Sequence, residues 1–466
     1  MSKSRIKGKD LKKINYQSDR AKSLAIAIMA KHYKHLSKAE KLKILEDVLL
    51  NPEDYLGHRF LAPVAEQFTA VVVKENYREY KLNESTGFRV FGKPFVDQNT
   101  LNQMDVASQL PIAVKAAIMP DAHVGYGLPI GGVLATDNAV IPYGVGLDIG
   151  CRMSLSIYDV KEDFLKRNQY LMKTALKECT HFGIGKMQDT IEEHEVLERS
   201  AFQELSLLRQ LHGKAKGQLG TSGSGNHFVE FGIVELEVDN CLGVPKGQYL
   251  GLLAHSGSRG FGATIANYYT RVAIDTCRLP QGAKHLAWLD LNSEAGQEYW
   301  LSMNLAGDYA KACHDVIHRK IAKAIGLKAV AKVENHHNFA WKETQLDGQE
   351  LIVHRKGATP AKLGQMGIIP ATMLHPGYIV SGKGNEGSLN SASHGAGRKM
   401  SRKKAKETLT RSEMNKQLKA AGITLIGGGV DESPWAYKNI EDVMKSQKDL
   451  VKIEGMFYPK IVKMNK

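Results

Sequence analysis

Asp148 and Cys151 stand three residues apart in DIGC, inside a glycine-dense stretch, Met119–Met153, that also holds Asp121 and His123. Glycines cost backbone entropy, so such a run marks sharp turns or close approach of the backbone to something else. In a loop, this spacing lets a carboxylate and a thiol converge on one metal ion. A buried turn carrying a structural thiol accounts for the pair alone equally well. Four histidines tip the balance. His227 follows SGSGN, His255 precedes SGSRG, His337 lies in NHHN and His394 in SHGAG. Each is expected at a strand end or in a loop, where a rigid scaffold presents functional side chains. Singly, each reads as a hydrogen-bonded structural histidine; together with Asp148 and Cys151 they read as a site. In His336-His337, strand alternation sends neighbours to opposite faces, so only one of the two is expected to be a ligand. His32, His35, His212, His314 and His318 fall on helical faces and are expected to be solvated or packed.

One carboxylate, one thiolate and three imidazoles exceed the needs of a single tetrahedral ion. A cysteine bridging two ions uses all five, and paired metals are common in phosphoryl transfer. Ligand softness alone selects zinc. A second theme is anion binding. The Gly220–Gly225 loop, the turn at Arg259, Pro370–Met373 and His394–Gly397 all offer backbone N–H groups. HGAG is expected to lead directly into a helix whose N-terminus holds an anion beside His394. Arg355, Lys356, Arg398 and Lys438 are candidates for balancing charge. These features point to phosphoryl or nucleotidyl transfer.

The elements that must position these residues are mixed. Residues 1–85 carry apolar residues at helical spacing over 19–35 and 38–50, the second helix stopped by Asn51-Pro52. From Gly87 the pattern shifts to short β-branched runs broken by Gly, Pro and Asn, with strands expected at 129–134, 139–142, 227–233, 246–254, 328–333, 351–355, 367–370 and 378–380. Helices are expected over 97–118, 161–183, 189–212, 264–276 and 292–323. The order is α+β, without the regular βαβ cadence or GxGxxG of a dinucleotide fold.

The 466 residues carry a formal net charge of +14, with basic clusters at Lys3–Lys13, Arg398–Lys406 and Lys445–Lys466. Clustered positive charge favours a polyanionic partner, nucleic acid first. No apolar run is long enough to cross a bilayer, and MSKSRIKGKD lacks the apolar core of a signal peptide, so a cytoplasmic location is expected. Five scattered cysteines argue against a disulfide framework and fit a reducing compartment.

The motifs PDAHVGYGLPIGGV, DIGC, GSGNHFVE, HSGSRG, HHN, RKGA, SHGAGR and DESPWAYK, in this order between Gly87 and Lys463, resemble those of the RtcB family of RNA-splicing ligases. The resemblance implies a single catalytic domain, here 86–466, of the family's own α+β architecture around a central dimetal site, preceded by a helical region, 1–85. It implies a ligase that joins an RNA 3′-phosphate or 2′,3′-cyclic phosphate to a 5′-hydroxyl, using GTP and two Mn²⁺ ions. Asp148, Cys151, His227, His255 and His337 match the metal ligands, with the cysteine bridging. His394 matches the histidine that takes GMP from GTP. Nucleotide contacts are implied for Asn226, His227, Phe228, Val229 and Glu230, for His337 and Asn338, for Pro370, Ala371, Thr372, Met373 and Gly377, for His394, Gly395, Ala396 and Gly397, and for Lys463. Manganese here replaces the zinc of the softness argument, because hard phosphate oxygens complete the coordination.

Three departures mark a divergent branch. Arg152 stands where the family has glycine after DIGC, beside the bridging thiolate, where it is expected to add a phosphate contact or alter metal occupancy. The nucleotide segment PGSM reads Pro370-Ala371-Thr372-Met373, and Gly377 stands where a serine is expected. The chain ends KIVKMNK, leaving Lys463 and Lys466 as rivals for the C-terminal contact. A metal-dependent 2′,3′-cyclic phosphodiesterase that does not seal is the first alternative, and a non-catalytic RNA-binding module the second.

Overall fold

Ser18 and Ser37 each accept a hydrogen bond from a backbone N–H of the turn that follows them, and helices Asp19–His32 and Lys38–Leu50 start there. Glu40 returns the favour to the Ser37 N–H at 2.7 Å, completing a capping box. The first helix stops at His32, three residues short of expectation, whereas the second ends at Leu50 with Asn51 as its cap. With Gly8–Lys13 they enclose a small core of Leu11, Tyr16, Ala25, Met29, Leu45 and Val48.

The computed structural model describes residues 6–16, 18–55, 57–65, 67–68 and 77–465, which form two compact units, Met1–Asn76 and Tyr77–Lys466. Lys3 and Arg5 of the first basic cluster, and Lys466, lie outside the described residues. The boundary expected at 85/86 falls at 76/77, because Arg78–Glu79 already pairs with Cys277–Arg278 of the larger unit. Among the described residues no helix is long and apolar enough to cross a membrane.

The larger unit is α+β and built on two sheets. The eight-stranded sheet runs in the order Ala329–His336, Arg152–Tyr158, Gly247–Ser256, Phe228–Leu236, Val451–Met464, Gly377–Gly382, Met366–Ile369, with Thr424–Ile426 parallel beside the long strand Val451–Met464. The five-stranded sheet runs Asn338–Thr344, Glu350–Lys356, Ile130–Thr136, Ala113–His123, Arg89–Val90. Alternation divides the larger sheet into two faces. Val229, Phe231, Leu252 and Ala254 pack on one side in a core shared with Ile317 and Ile321 of the 32-residue helix Glu294–Ile325 and with helix Gln169–Cys179. Met153, Leu155, Leu253, Val333 and Phe457 pack on the other.

Three helix expectations fail in part. The helix expected over 97–118 ends at Ser108, and Ala113–His123 is a strand held between two partners of the smaller sheet. Its alanines carry little helix–strand information, and tertiary pairing decides. The 189–212 helix forms only from Ser206 to Gln218, after two single-turn pieces. The 161–183 helix is broken at Asn168 into Glu162–Arg167 and Gln169–Cys179. The strand expected at 139–142 stops at Val140, where Pro142 opens a one-turn helix. Finally, HGAG does not lead directly into a helix: Ser401 caps the next one, Arg402–Thr408.

Candidate active site

Four adjacent strands of the larger sheet bring their ends together at one edge. Cys151 immediately precedes Arg152–Tyr158, His227 immediately precedes Phe228–Leu236, His255 is next to last in Gly247–Ser256, and His337 follows Ala329–His336. The ladder fixes their register: His336 lies opposite Arg152, Arg152 opposite Ser256, and His255 opposite Phe228. His337 is also the crossing point between sheets, since Asn338 begins a strand of the smaller one. Its N–H donates to the Cys151 carbonyl at 3.0 Å, and its carbonyl accepts from the Gly357 N–H at 2.7 Å.

Five donor atoms converge there. Cys151 Sγ lies 3.4 Å from His227 Nε2 and 3.2 Å from His255 Nε2. His255 Nε2 lies 3.3 Å from His337 Nε2, and His227 Nε2 lies 3.0 Å from Asp148 Oδ2. They form two groups that share Cys151: Cys151/His255/His337 and Asp148/Cys151/His227. A cation fits this set. His255 Nδ1 faces the Asn226 carbonyl at 3.1 Å and donates to it, which turns the Nε2 lone pair inward. Burial, reinforced by neighbouring imidazoles, drives the His255 pKa down to about 3 and that of His337 well below the usual range, so both rings are neutral ligands. Burial, then the Asp148 charge, pushes the Cys151 thiol well up, so a positive ion is what would favour its thiolate. Asp148 stays ionised, at about 2: burial opposes the charge, but the His227 contact outweighs it. Two glycines make room. A Cβ at Gly223 would overlap the His227 ring, and one at Gly257 the Asp148 carboxylate.

His394 stands beside this cluster, its ring centroid 5.0 Å from that of His337. Its Nδ1 lies 2.7 Å from Asp121 Oδ2, which also accepts the backbone N–H groups of His394 and Gly395 at 3.2 Å each. Asp121 is fully buried; burial opposes its charge, but His394 and Lys438 hold it below the usual carboxylate range. With Nδ1–H directed at Asp121, His394 Nε2 carries the free lone pair. His394 lines a cavity of about 310 Å³, together with His255 and His337 of the cluster.

That cavity collects most of the expected nucleotide contacts: Asn226, Phe228, Glu230, His337, Pro370, Ala371, Thr372, Met373, Gly377, His394, Gly395, Ala396 and Gly397 all line it, whereas His227 does not. Glu230 is buried and has no side-chain partner among the described residues; desolvation raises its carboxyl well above the usual range. Others are placed elsewhere. Val229 lies in the core behind the sheet, on the face opposite Phe228 and Glu230. Lys463 pairs with Val229, and its Nζ donates to the carbonyls of Leu176, Lys177 and Thr180 at the end of helix Gln169–Cys179. Its ammonium is therefore turned away from the cavity, which Val462 and Met464 line. Asn338 braces the site from the side, accepting from the Gly357 N–H at 2.8 Å and donating to the Asp148 carbonyl at 3.4 Å.

Of the four expected balancing cations, only Arg398 reaches the cavity. Arg355 is fully buried in a bidentate pair with Glu343, at 3.0 and 3.2 Å. Lys356 donates to the Tyr126 and Tyr143 carbonyls, and Lys438 to those of Pro120 and Ala122. Arg259 holds the Gly220–Gly225 loop through Thr221 Oγ1, at 3.1 Å. Arg152 points away from the cavity, to His336. Sequence reasoning left without a role Asp121, Arg402, Glu432 and Tyr437. Arg402 lines the cavity while paired with Asp431 and Glu432, and Tyr437 hydrogen-bonds Glu432. The available signal was the invitation of an aspartate in PDAH and of acids in DESPWAYK to orient a nearby imidazole or guanidinium.

A family model described as "tRNA-splicing ligase RtcB" matches residues 103–206 and 183–464. The RNA-splicing ligase RtcB of Escherichia coli (strain K12) is 32% identical over 390 residues, covering 77% of this chain and 92% of that protein. The tRNA-splicing ligase RtcB of Nanoarchaeum equitans is 33% identical over 437 residues, covering 78% and 91%. The RNA-splicing ligase RtcB of Mycobacterium bovis is 31% identical over 406 residues, covering 72% and 93%.

Proposed function

This chain belongs to the RtcB family of RNA-splicing ligases, and from that premise we propose that it seals RNA 3′-phosphate or 2′,3′-cyclic phosphate ends to 5′-hydroxyl ends in RNA repair or tRNA splicing, with GTP as the source of activation. The observation that carries this reading is the adjacency of a histidine with a free Nε2 to a five-donor cluster, two of whose histidines share its cavity.

Asp148, Cys151, His227, His255 and His337 would hold two ions, Mn²⁺ rather than Zn²⁺ because hard phosphate oxygens complete the shell. Bound there, the ions would supply positive charge to phosphate oxygens beside His394. His394 Nε2 attacks the α-phosphorus of GTP, a P–N bond forms and pyrophosphate leaves. Asp121 keeps the proton on Nδ1 and stabilises the charge the ring acquires. The P–N bond is activated, so an oxygen of the RNA 3′-phosphate takes the GMP and returns the imidazole. A cyclic phosphate is first opened by water. The 5′-hydroxyl oxygen then attacks the 3′-phosphorus, losing its proton, and GMP leaves. Glu230, buried without a partner, suits the N1–H and amino group of guanine. Arg398 and Arg402 supply positive charge on the cavity wall. Five free cysteines support a cytoplasmic setting.

The test is labelling with α-³²P-GTP and Mn²⁺. The wild-type protein is expected to carry an acid-labile, alkali-stable GMP adduct that His394→Ala abolishes. No wild-type adduct, or an adduct undiminished in His394→Ala, would sink the reading. Hydrolysis of a 2′,3′-cyclic phosphate without any adduct would instead favour end-processing without sealing.

A further inference from the structure

Three of the converging donors have a chain neighbour on the back of the sheet: Arg152 after Cys151, Ser256 after His255, and His336 before His337. In the ladder these neighbours form one rung, His336–Arg152–Ser256. Arg152 is 7% exposed, and its Nη2 donates to His336 Nδ1 at 3.2 Å. Its Nε and Nη1 are buried and meet no protein acceptor among the described residues. Ser154 Oγ and Ser256 Oγ, on the same face, are likewise without partners. The covering helix Glu294–Ile325 contributes His314, whose Nε2 lies 3.2 Å from the Ser256 carbonyl.

A guanidinium with two unanswered nitrogens in a buried layer is a poor stabilising device, since each carries its desolvation penalty uncompensated. What it does achieve is local. The His336 ring is gripped on its other sides by Phe339 and Trp341, at centroid distances of 5.1 and 5.0 Å, and Arg152 closes the remaining edge. Fixing that ring fixes the backbone of the His336-His337 pair. It also sets the aim of His337 Nε2 on the opposite face.

We propose that Arg152 is a positioning residue for one of the two metal subsites, Cys151/His255/His337, acting through His336 from behind the sheet. The proposal rests on reading the five-donor cluster as a dimetal site. In the other subsite only the shared Cys151 has such a neighbour. Asp148 is held by the Ser258 N–H at 3.1 Å, and His227 sits in a loop against Gly223, both off the rung. The consequence is an asymmetry: loss of Arg152 weakens one ion and spares its neighbour.

The test is titration of the metal-free full-length protein with Mn²⁺, free ion being followed by electron paramagnetic resonance. Wild-type protein is expected to bind two ions. Arg152→Met should keep one at wild-type affinity and hold the other roughly tenfold more weakly, the lower end of what a lost outer hydrogen bond costs a metal site. Arg152→Lys, which keeps one donor, should recover part of that loss. His336→Phe should reproduce it, and does so independently if Arg152→Met fails to fold. Two unchanged ions in Arg152→Met, equal weakening of both, or two intact ions in His336→Phe would each overturn the proposal. A wild-type protein that binds no Mn²⁺ would overturn the dimetal reading itself, and this inference with it.

Discussion

The front and back of the same strand ends do different work. On the front, His255, Phe228 and Glu230 line the cavity and Cys151 joins His255 in the donor cluster. On the back, one residue away in each case, Arg152, Ser256 and Val229 face the helices. Lys463 belongs to the back as well, and its ammonium closes the end of helix Gln169–Cys179, where orphan carbonyls welcome a cation. Consecutive motif residues thus divide between a reactive surface and its support. A substitution's effect should follow the face it is on more than its distance along the chain.

The largest expected break in that comparison is on the front. Asp121→Asn preserves shape but offers His394 Nδ1 an amide in place of a carboxylate, so the ring can adopt the wrong tautomer. By the precedent of a triad aspartate, the rate of GMP-adduct formation should fall by about 10³- to 10⁴-fold, with metal stoichiometry unchanged. A loss below about tenfold in single-turnover labelling would mean that Asp121 does not set the tautomer. On the back, Lys463→Met removes three hydrogen bonds to carbonyls and leaves the cavity wall of Val462 and Met464 in place. It should cost about 1–3 kcal/mol in chemical denaturation, the range for unanswered buried acceptors. KM for GTP in the labelling reaction should stay within about twofold. A KM that rises tenfold or more would restore Lys463 to the nucleotide.

The α+β class and eight of the strands were legible in the chain, because β-branched runs between Gly and Pro carry their own punctuation, whereas Ala113–His123, Arg152–Tyr158 and Asn338–Thr344 were not expected as strands. The five donors and His394 were legible as well, because chemistry demands those residue types. What failed was the consequence of alternation inside matched motifs. His336 and His337 were separated by the period-two rule, and the same rule applied to Phe228-Val229-Glu230 or Val462-Lys463-Met464 would have turned Val229 and Lys463 to the opposite face from the cavity. Arg152 deceived for the same reason, since adjacency to Cys151 in sequence is opposition across the sheet. Arg355 and Lys438 were invisible in another way: their partners, Glu343 and the Pro120 and Ala122 carbonyls, are brought in by the tertiary fold and not by sequence proximity. The 97–118 segment failed because Ala-rich sequence suits either a helix or a strand, and its neighbours in the sheet made the choice.

The smallest expected effect lies furthest behind the site and sharpens the comparison by its pH dependence. Asp315, on helix Glu294–Ile325, accepts from Lys332 at 2.6 Å and Lys311 at 2.9 Å, with its side chain 28% exposed. Burial opposes its charge, but the two ammonium groups outweigh it and hold the carboxyl below the usual range. A carboxylate with a depressed folded pKa contributes stability that is present above the unfolded value, near 3.9, and is lost as pH falls through the folded one. Asp315→Asn should therefore cost about 1 kcal/mol or less at pH 7, the range of partly exposed pairs. The difference from wild type should shrink as pH falls below about 4, where the wild-type carboxyl is protonated too. Thermal unfolding of both proteins across that window reads this directly. A gap that persists unchanged into acid would assign Asp315 a packing role and no electrostatic one. Because the cluster sits on the back, Mn²⁺ stoichiometry and GMP-adduct formation should match wild type at neutral pH, in contrast to Asp121→Asn.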